Sequence, residues 1–92
     1  MRVQVKAFAG FREILGSDIA LNLPKGSTLT GLLEMLQRRS PGIKEALFDD
    51  QGIPKRSVII MVNKKRQTRA EFGSRELQDG DEVAICPPVA GG

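Results

Sequence analysis

Residues 24–42, PKGSTLTGLLEMLQRRSPG, hold one helix with a chain breaker at each end. Pro24-Lys25-Gly26 interrupts whatever precedes it. Ser27 or Thr28 can then cap a helix by accepting a hydrogen bond from an unpaired N–H. Leu29, Leu32, Leu33 and Leu36 recur at i, i+3, i+4 and i+7, so a helix over about 29–39 carries a single apolar stripe, suited to lying on a sheet. Arg38 and Arg39 fall in its last turn, where positive charge suits the helix dipole. Ser40-Pro41-Gly42 ends the pattern. Gly31 inside the helix costs about 1 kcal/mol relative to alanine, and no sequence feature accounts for it.

The flanking segments supply the sheet. RVQVKAF, residues 2–8, alternates polar and apolar with the period of a half-buried strand. GFREILGSD follows as a short helical turn, with Gly16 expected in the left-handed cap conformation. DIALNL, residues 18–23, directs Ile19, Leu21 and Leu23 to one side, so these two strands read as a hairpin. Beyond the helix, IKEALF (43–48) suggests one further helical turn and DDQGIPKR (49–56) a loop. SVIIMVN (57–63) is a continuous apolar run, as expected of a strand buried on both faces. KKRQTRAEFGSRE (64–76) is polar and irregular, with room for a short edge strand. Leu77-Gln78-Asp79-Gly80 is a turn through its Asp-Gly pair, and DEVAIC (81–86) is the last strand. The order β-β-α-(turn)-β-(β)-β predicts an α+β chain in which one main helix covers one face of a mixed sheet of four to five strands. That is the β-grasp, or ubiquitin-like, arrangement, expected over residues 1–86 as one domain.

Composition narrows the chemistry. The 92 residues are 40% hydrophobic and 27% charged, as for a small globular domain rather than a disordered chain. No apolar run approaches the roughly 18 residues needed to span a bilayer. The N-terminal MRVQVKAFAG enters strand alternation at once, so no signal peptide or membrane association is expected. The single cysteine, Cys86, forms no internal disulfide and fits a reducing cytoplasm. With no histidine in the chain, Ser-His and Cys-His nucleophiles and histidine metal sites are excluded. No Walker loop, paired-cysteine motif or GxGxxG appears. The net charge of +3 comes from separate clusters: Arg38-Arg39, Lys55-Arg56, and Lys64-Lys65-Arg66 with Arg69. The four aromatics, Phe8, Phe11, Phe48 and Phe72, do not interleave with those clusters as a base-stacking platform requires. A solvated basic face is the expectation rather than nucleic acid.

The C-terminal segment ICPPVAGG is the one motif with a chemical purpose of its own. Proline has no N–H to donate and fixes φ near −65°, so Pro87-Pro88 stop the strand ladder and continue the chain as stiff, extended backbone. Residues 87–92 are therefore expected to form a flexible, extended tail reaching about 20 Å at ~3.3 Å per residue. Such a tail can carry its carboxylate into another protein while the body docks outside. Gly91-Gly92 would pass where side chains clash, and the prolines lessen the ordering entropy. A carboxylate needs activation, usually adenylation by attack on the α-phosphate of ATP, before sulfur or nitrogen displaces AMP. No motif here binds ATP or Mg²⁺, so activation is expected in trans. A frayed end is the bland alternative.

VKAFAGFREILG near the start, VIIMVN before the polar segment, and LQDGDEVAICPPVAGG at the end closely resemble the MoaD family. That family comprises the small subunit of molybdopterin synthase and the small archaeal modifier proteins, and the likeness covers nearly the whole chain. The resemblance implies a β-grasp fold and adenylation of Gly92 by a MoeB-like activating enzyme. It implies further a thiocarboxylate on Gly92, formed with a sulfur donor protein, that gives its sulfur to a pterin precursor inside a MoaE-like large subunit. Gly91 would allow passage, and Pro87, Pro88, Val89 and Ala90 would guide the tail. No cofactor or metal is expected on this chain, and it would be one part of an enzyme rather than an enzyme alone. The alternative is a ubiquitin-like modifier whose activated Gly92 is joined to lysines of target proteins. A third reading is an interaction module with an idle tail. Thiamine-pathway carriers share the Gly-Gly without this proline approach.

This chain departs from the family pattern twice: Cys86 stands where an aromatic often precedes Pro-Pro, and Lys64 stands where glycine commonly follows Val62-Asn63. Cys86 reads as a buried or half-buried strand residue ahead of a redox role. Phe8 and Phe11 match the early motif; packing explains both, and Phe8 joins Cys86 as a partner contact to be tested. Asp79, Asp81 and Glu82 resemble a paired-carboxylate site in composition, but an Asp-Gly turn needs such residues for its own geometry. Lys64 and Lys65 would be available as isopeptide acceptors in a modifier.

Overall fold

A computed structural model describes residues 1–87. β1 (Arg2–Ala7) and β2 (Asp18–Asn22) form the expected antiparallel hairpin, with Val3 opposite Leu21 and Val5 opposite Ile19. Between them α1 (Gly10–Leu15) buries Phe11. Gly16 follows at φ 89° and ψ 165°. This is not the left-handed cap expected but an extended, positive-φ conformation that essentially only glycine adopts; it turns the chain straight into β2.

α2 (Leu29–Arg39) matches its sequence pattern, burying Leu29, Leu32, Leu33 and Leu36, and the Thr28 hydroxyl accepts from the Gly31 N–H. A methyl group at Gly31 would meet nothing nearer than Thr28 Oγ1 at 3.9 Å, so crowding does not explain that glycine. Ser40-Pro41-Gly42 does end α2, but Pro41 also opens α3 (Pro41–Leu47). A proline's missing N–H is harmless at a first helical position. α3 buries Ile43 and Leu47.

β3 (Ile59–Val62) and β4 (Lys65–Arg66) flank the two-residue turn Asn63-Lys64. Both turn residues have positive φ, 50° and 70°, as a type I′ hairpin requires. The polar segment after β4 holds an element the sequence pattern did not reveal, α4 (Arg69–Ser74), which buries Phe72. Its start is a reciprocal capping box: the Thr68 hydroxyl accepts from the Glu71 N–H, and the Glu71 carboxylate accepts from the Thr68 N–H at 2.8 Å.

β5 (Glu82–Cys86) then runs through the middle of the sheet, parallel to β1 and antiparallel to β3. The strand order is β2-β1-β5-β3-β4, a mixed five-stranded sheet with the helices over one face. The fold is α+β and β-grasp. Val3, Val5, Ala7, Leu21, Ile60, Val62, Val83 and Ile85 meet the helices in one core. The continuous run in β3 is not buried on both faces as expected. Its burial alternates, with Ile60 and Val62 inside and Ile59 and Met61 half-exposed, because the described chain covers only one face.

The carboxylates of the Asp-Gly turn serve local geometry. Asp79 accepts from the Arg2 N–H at 2.7 Å. Asp81, only 7% exposed, accepts from the Gln78 N–H at 2.8 Å and from the Asn63 side-chain amide at 2.9 Å. Among the described residues no three His, Cys, Asp or Glu side chains group as a metal site. No helix among them is long and apolar enough to cross a membrane.

Candidate functional site

The end of β5 leads into the C-terminal segment that the sequence singles out. β5 is bonded on both sides through Cys86, which lies opposite Ile59 of β3. On the other side the Phe8 N–H donates to the Ile85 carbonyl at 3.1 Å. Pro87 comes next and has no N–H to extend either ladder. The chain therefore departs from a central strand held on both flanks, which fixes its point of exit more tightly than an edge strand would.

Strand alternation sorts the side chains around that exit. Val83 and Ile85 enter the core, so Glu82, Ala84 and Cys86 face the uncovered side. The register sets Ala84 between Lys6 and Met61, and Cys86 beside Ile59. One step beyond the Ala7–Ile85 pair, Phe8 falls beside Cys86. Phe8 is 46% exposed, the same as Ile53 and above Ile14 among the large apolar side chains in the open. Phe8, Ile59, Met61 and Cys86 thus make an apolar patch next to the exit, packed around Ala84, which is itself buried. The far half of the same face is polar: Lys6 pairs with Glu82 at 3.4 Å, and the Gln4 amide donates to the Asp18 carboxylate. The ion pair is open to water and contributes little to stability, but with its neighbours it borders the apolar patch.

Of the residues singled out in the sequence, Phe8, Cys86 and Pro87 come together at this corner. Pro88, Val89, Ala90, Gly91 and Gly92 lie outside the described residues. Burial pushes the Cys86 thiol up from its ordinary value of 9.0, so the group is neutral at physiological pH and a poor nucleophile. Its place is that of an apolar strand residue. The sequence does not mark Ile59 and Met61 as surface residues, because an unbroken apolar run conceals alternation. The available signal was the single long helix, which leaves the second face of a sheet bare.

The family model described as the ThiS family matches residues 5–92. The "Small archaeal modifier protein 3" of Haloferax volcanii is 31% identical, with 100% of each chain covered. The "Molybdopterin synthase sulfur carrier subunit" of Escherichia coli is 34% identical, with 98% of this chain and 99% of that one covered; by name it works within an assembly. Among solved structures, that of SAMP1 from Haloferax volcanii superposes with a TM-score of 0.85 at 25% identity, covering 100% of both chains.

Proposed function

The chain belongs to the ThiS family of ubiquitin-like sulfur carriers and modifiers, and from that premise we propose that it carries sulfur for molybdopterin synthesis, in the molybdenum or tungsten cofactor pathway. The observation that supports this reading is the apolar patch of Phe8, Ile59, Met61 and Cys86 beside the point where β5 gives way to Pro87. A body that docks through that patch sends residues 87–92 into its partner. Half-exposed apolar side chains lose water on docking, at about 25 cal/mol per Å² removed.

In this reading the Gly92 carboxylate attacks the α-phosphate of ATP bound by an activating enzyme, releasing pyrophosphate and leaving an acyl-adenylate. The terminal sulfur of a donor protein's persulfide then displaces AMP, and a second thiol cleaves the resulting acyl disulfide, leaving as a disulfide with the donor while the acyl carbon keeps sulfur as a thiocarboxylate. That group enters a large partner subunit and gives its sulfur to a pterin precursor. Gly91 and Gly92 pass the narrow part of the channel, and Pro87, Pro88, Val89 and Ala90 guide the approach. This chain supplies the acyl group and the docking surface; ATP is bound in trans.

A second reading rests on the full-length match to the archaeal modifier at 31% identity. The chemistry is shared as far as the adenylate, after which a target lysine takes the acyl group as an isopeptide. Intact mass separates the two. The protein is incubated with ATP, a MoeB-like activating enzyme and a sulfur source. A gain equal to one oxygen replaced by sulfur, lost on deletion of Gly92, is expected of the carrier. An unchanged mass, with the enzyme active on another carrier, removes the sulfur reading. Lysine-linked adducts that depend on Gly92 would then identify a modifier.

A further inference from the structure

Arg56, Arg66 and Arg69 belong to separate runs in the sequence, but the fold brings all three to one groove. It lies between the start of β3, the β4 edge and α4, with a volume of about 490 Å³. Val58, Ile59 and Phe72 give it an apolar floor; Gln67 and Thr68 complete the wall. The Lys6–Glu82 pair is the one side-chain ion pair among the described residues, so no carboxylate of the described chain neutralises these arginines. Arg69 donates to the Pro54 carbonyl. The neighbouring Arg75 is already bound to the Gln67 side chain at 3.0 Å. The nearby Glu71 carboxylate is engaged by the Thr68 N–H in the α4 cap. Three like charges around one apolar cleft repel one another and suit an external anion.

The backbone at this edge narrows the choice of anion. β4 pairs with β3 alone, Val62 opposite Lys65 and Met61 opposite Arg66. The Gln67 N–H donates to the Ile60 carbonyl at 2.9 Å. Antiparallel alternation then directs the N–H and C=O of Arg66 away from β3, toward the open edge. An extended peptide can pair there as an added strand. A nucleic acid would find no ring to stack on, since Phe72 is only 7% exposed. A free phosphate would leave the apolar floor unused.

We propose that this groove binds an extended acidic segment of a partner protein, paired with the Arg66 backbone at the β4 edge. Its carboxylates meet the guanidinium groups of Arg56, Arg66 and Arg69, and an apolar residue between them rests on Val58 and Ile59. Ile59 also belongs to the apolar patch beside the β5 exit, so the two surfaces are continuous. The groove does not depend on the fate of Gly92, and a chain lacking the last two residues would retain it.

The test uses the full chain and a short dye-labelled peptide alternating Glu and Val, followed by fluorescence anisotropy. Saturable binding that weakens with salt is expected. Arg56→Glu with Arg66→Glu should weaken it about tenfold or more, while Arg38→Glu, on α2, leaves it unchanged. A peptide alternating Gln and Val should bind at least about tenfold more weakly. N-methylation of alternate peptide amides should weaken binding, as loss of strand pairing requires. Amide shifts in the unmodified protein should cluster within residues 56–72, which keeps the test valid if the double variant unfolds. The proposal is overturned by absent saturation, by equal binding of the Gln peptide, or by indifference to charge reversal in a folded variant. A single-stranded oligonucleotide that binds more tightly than the peptide, or inorganic phosphate that displaces it, would also overturn the proposal. A purely protective role of the basic edge against strand aggregation predicts the first of these results.

Discussion

Replacing Asn63 by alanine should unfasten the turn that holds β3, β4 and β5 in register. The Asn63 side chain makes two bonds at once: its amide donates to Asp81 Oδ1 at 2.9 Å, and its carbonyl accepts from the Glu82 N–H at 3.0 Å. Asp81 is 7% exposed and would be left with the Gln78 N–H alone. A bond to a charged group contributes about 1.5–3 kcal/mol and a neutral one about 0.5–1.5 kcal/mol. Asn63 also sits at φ 50°, which asparagine tolerates and alanine resists by about 1 kcal/mol. These contributions are not additive, and water replaces part of what is lost at an exposed turn, so about 2–3 kcal/mol is expected. For a domain of this size about 1 kcal/mol shifts Tm by roughly 4–8 °C, and the alanine variant should melt about 10–20 °C lower by circular dichroism. Asn63→Gly removes the same side-chain bonds but accepts the positive φ, so it should melt about 4–8 °C above the alanine variant. An alanine variant within about 3 °C of the parent would refute the cross-link; a glycine variant no better than alanine would refute the backbone part.

Lys64, at φ 70° with no side-chain hydrogen bond or ion pair among the described residues, carries strain that Lys64→Gly should relieve, raising Tm by about 2–8 °C for a gain of roughly 0.5–1 kcal/mol; a lower Tm would show that Lys64 has a role the geometry does not reveal. Thr68→Ala should cost about 0.5–2 kcal/mol by removing the α4 cap, read in the same melts. The Glu71 carboxyl is held below its ordinary value of 4.5 chiefly by the Thr68 N–H, then by the Thr68 hydroxyl; burial opposes them, and the charge of Arg75 adds the least. A lowered folded pKa means stabilisation that is present above the ordinary carboxylate range and lost as pH falls through the folded value. The Tm gap between parent and Glu71→Ala should therefore narrow on acidification, and a gap constant to pH 3 would exclude the carboxylate cap. At Cys86, where burial raises the thiol pKa, alkylation by iodoacetamide near pH 7.5 should run more slowly in the native than in the unfolded chain, climbing about tenfold per pH unit through pH 8–9; a rate that levels off below pH 8 would indicate an activated thiolate.

The elements that could be read in advance are those whose signal is local. The α2 stripe declares itself because four leucines repeat at helical spacing, and β1 because Val3, Val5 and Ala7 alternate with polar residues. α4 escaped because Phe72 is its one buried side chain and so shows no period. Its evidence was the Thr68-x-x-Glu71 pair alone, and a capping box marks a helix even where hydrophobic periodicity is silent. Pro41 is ambiguous for a related reason: a proline ends one helix and opens the next with equal ease, so the pattern places the second helix at 43 where it starts at Pro41.

Surfaces are legible only through topology. Ile59 and Met61 look in the sequence like the rest of their apolar run, and burial on both faces was the natural inference. One long helix, two short helices and a short capped turn of helix cover a single face, so the alternate side chains of β3 must stand in the open beside Cys86 and Phe8. In the same way Arg56 and Arg66 are ten positions apart and read as separate solvated charges until the β3–β4 hairpin folds one back toward the other. Under the proposed function the Gly-Gly end needs no such folding to be interpreted, because the chemistry proposed for it resides in the Gly92 carboxylate. Partner choice is different: in that same reading it depends on which side chains the sheet leaves uncovered around the end of β5. Two chains with the same last six residues could therefore be activated alike yet deliver to different acceptors, and substitutions at Phe8, Ile59 or Arg66 should redirect delivery without altering the activated end.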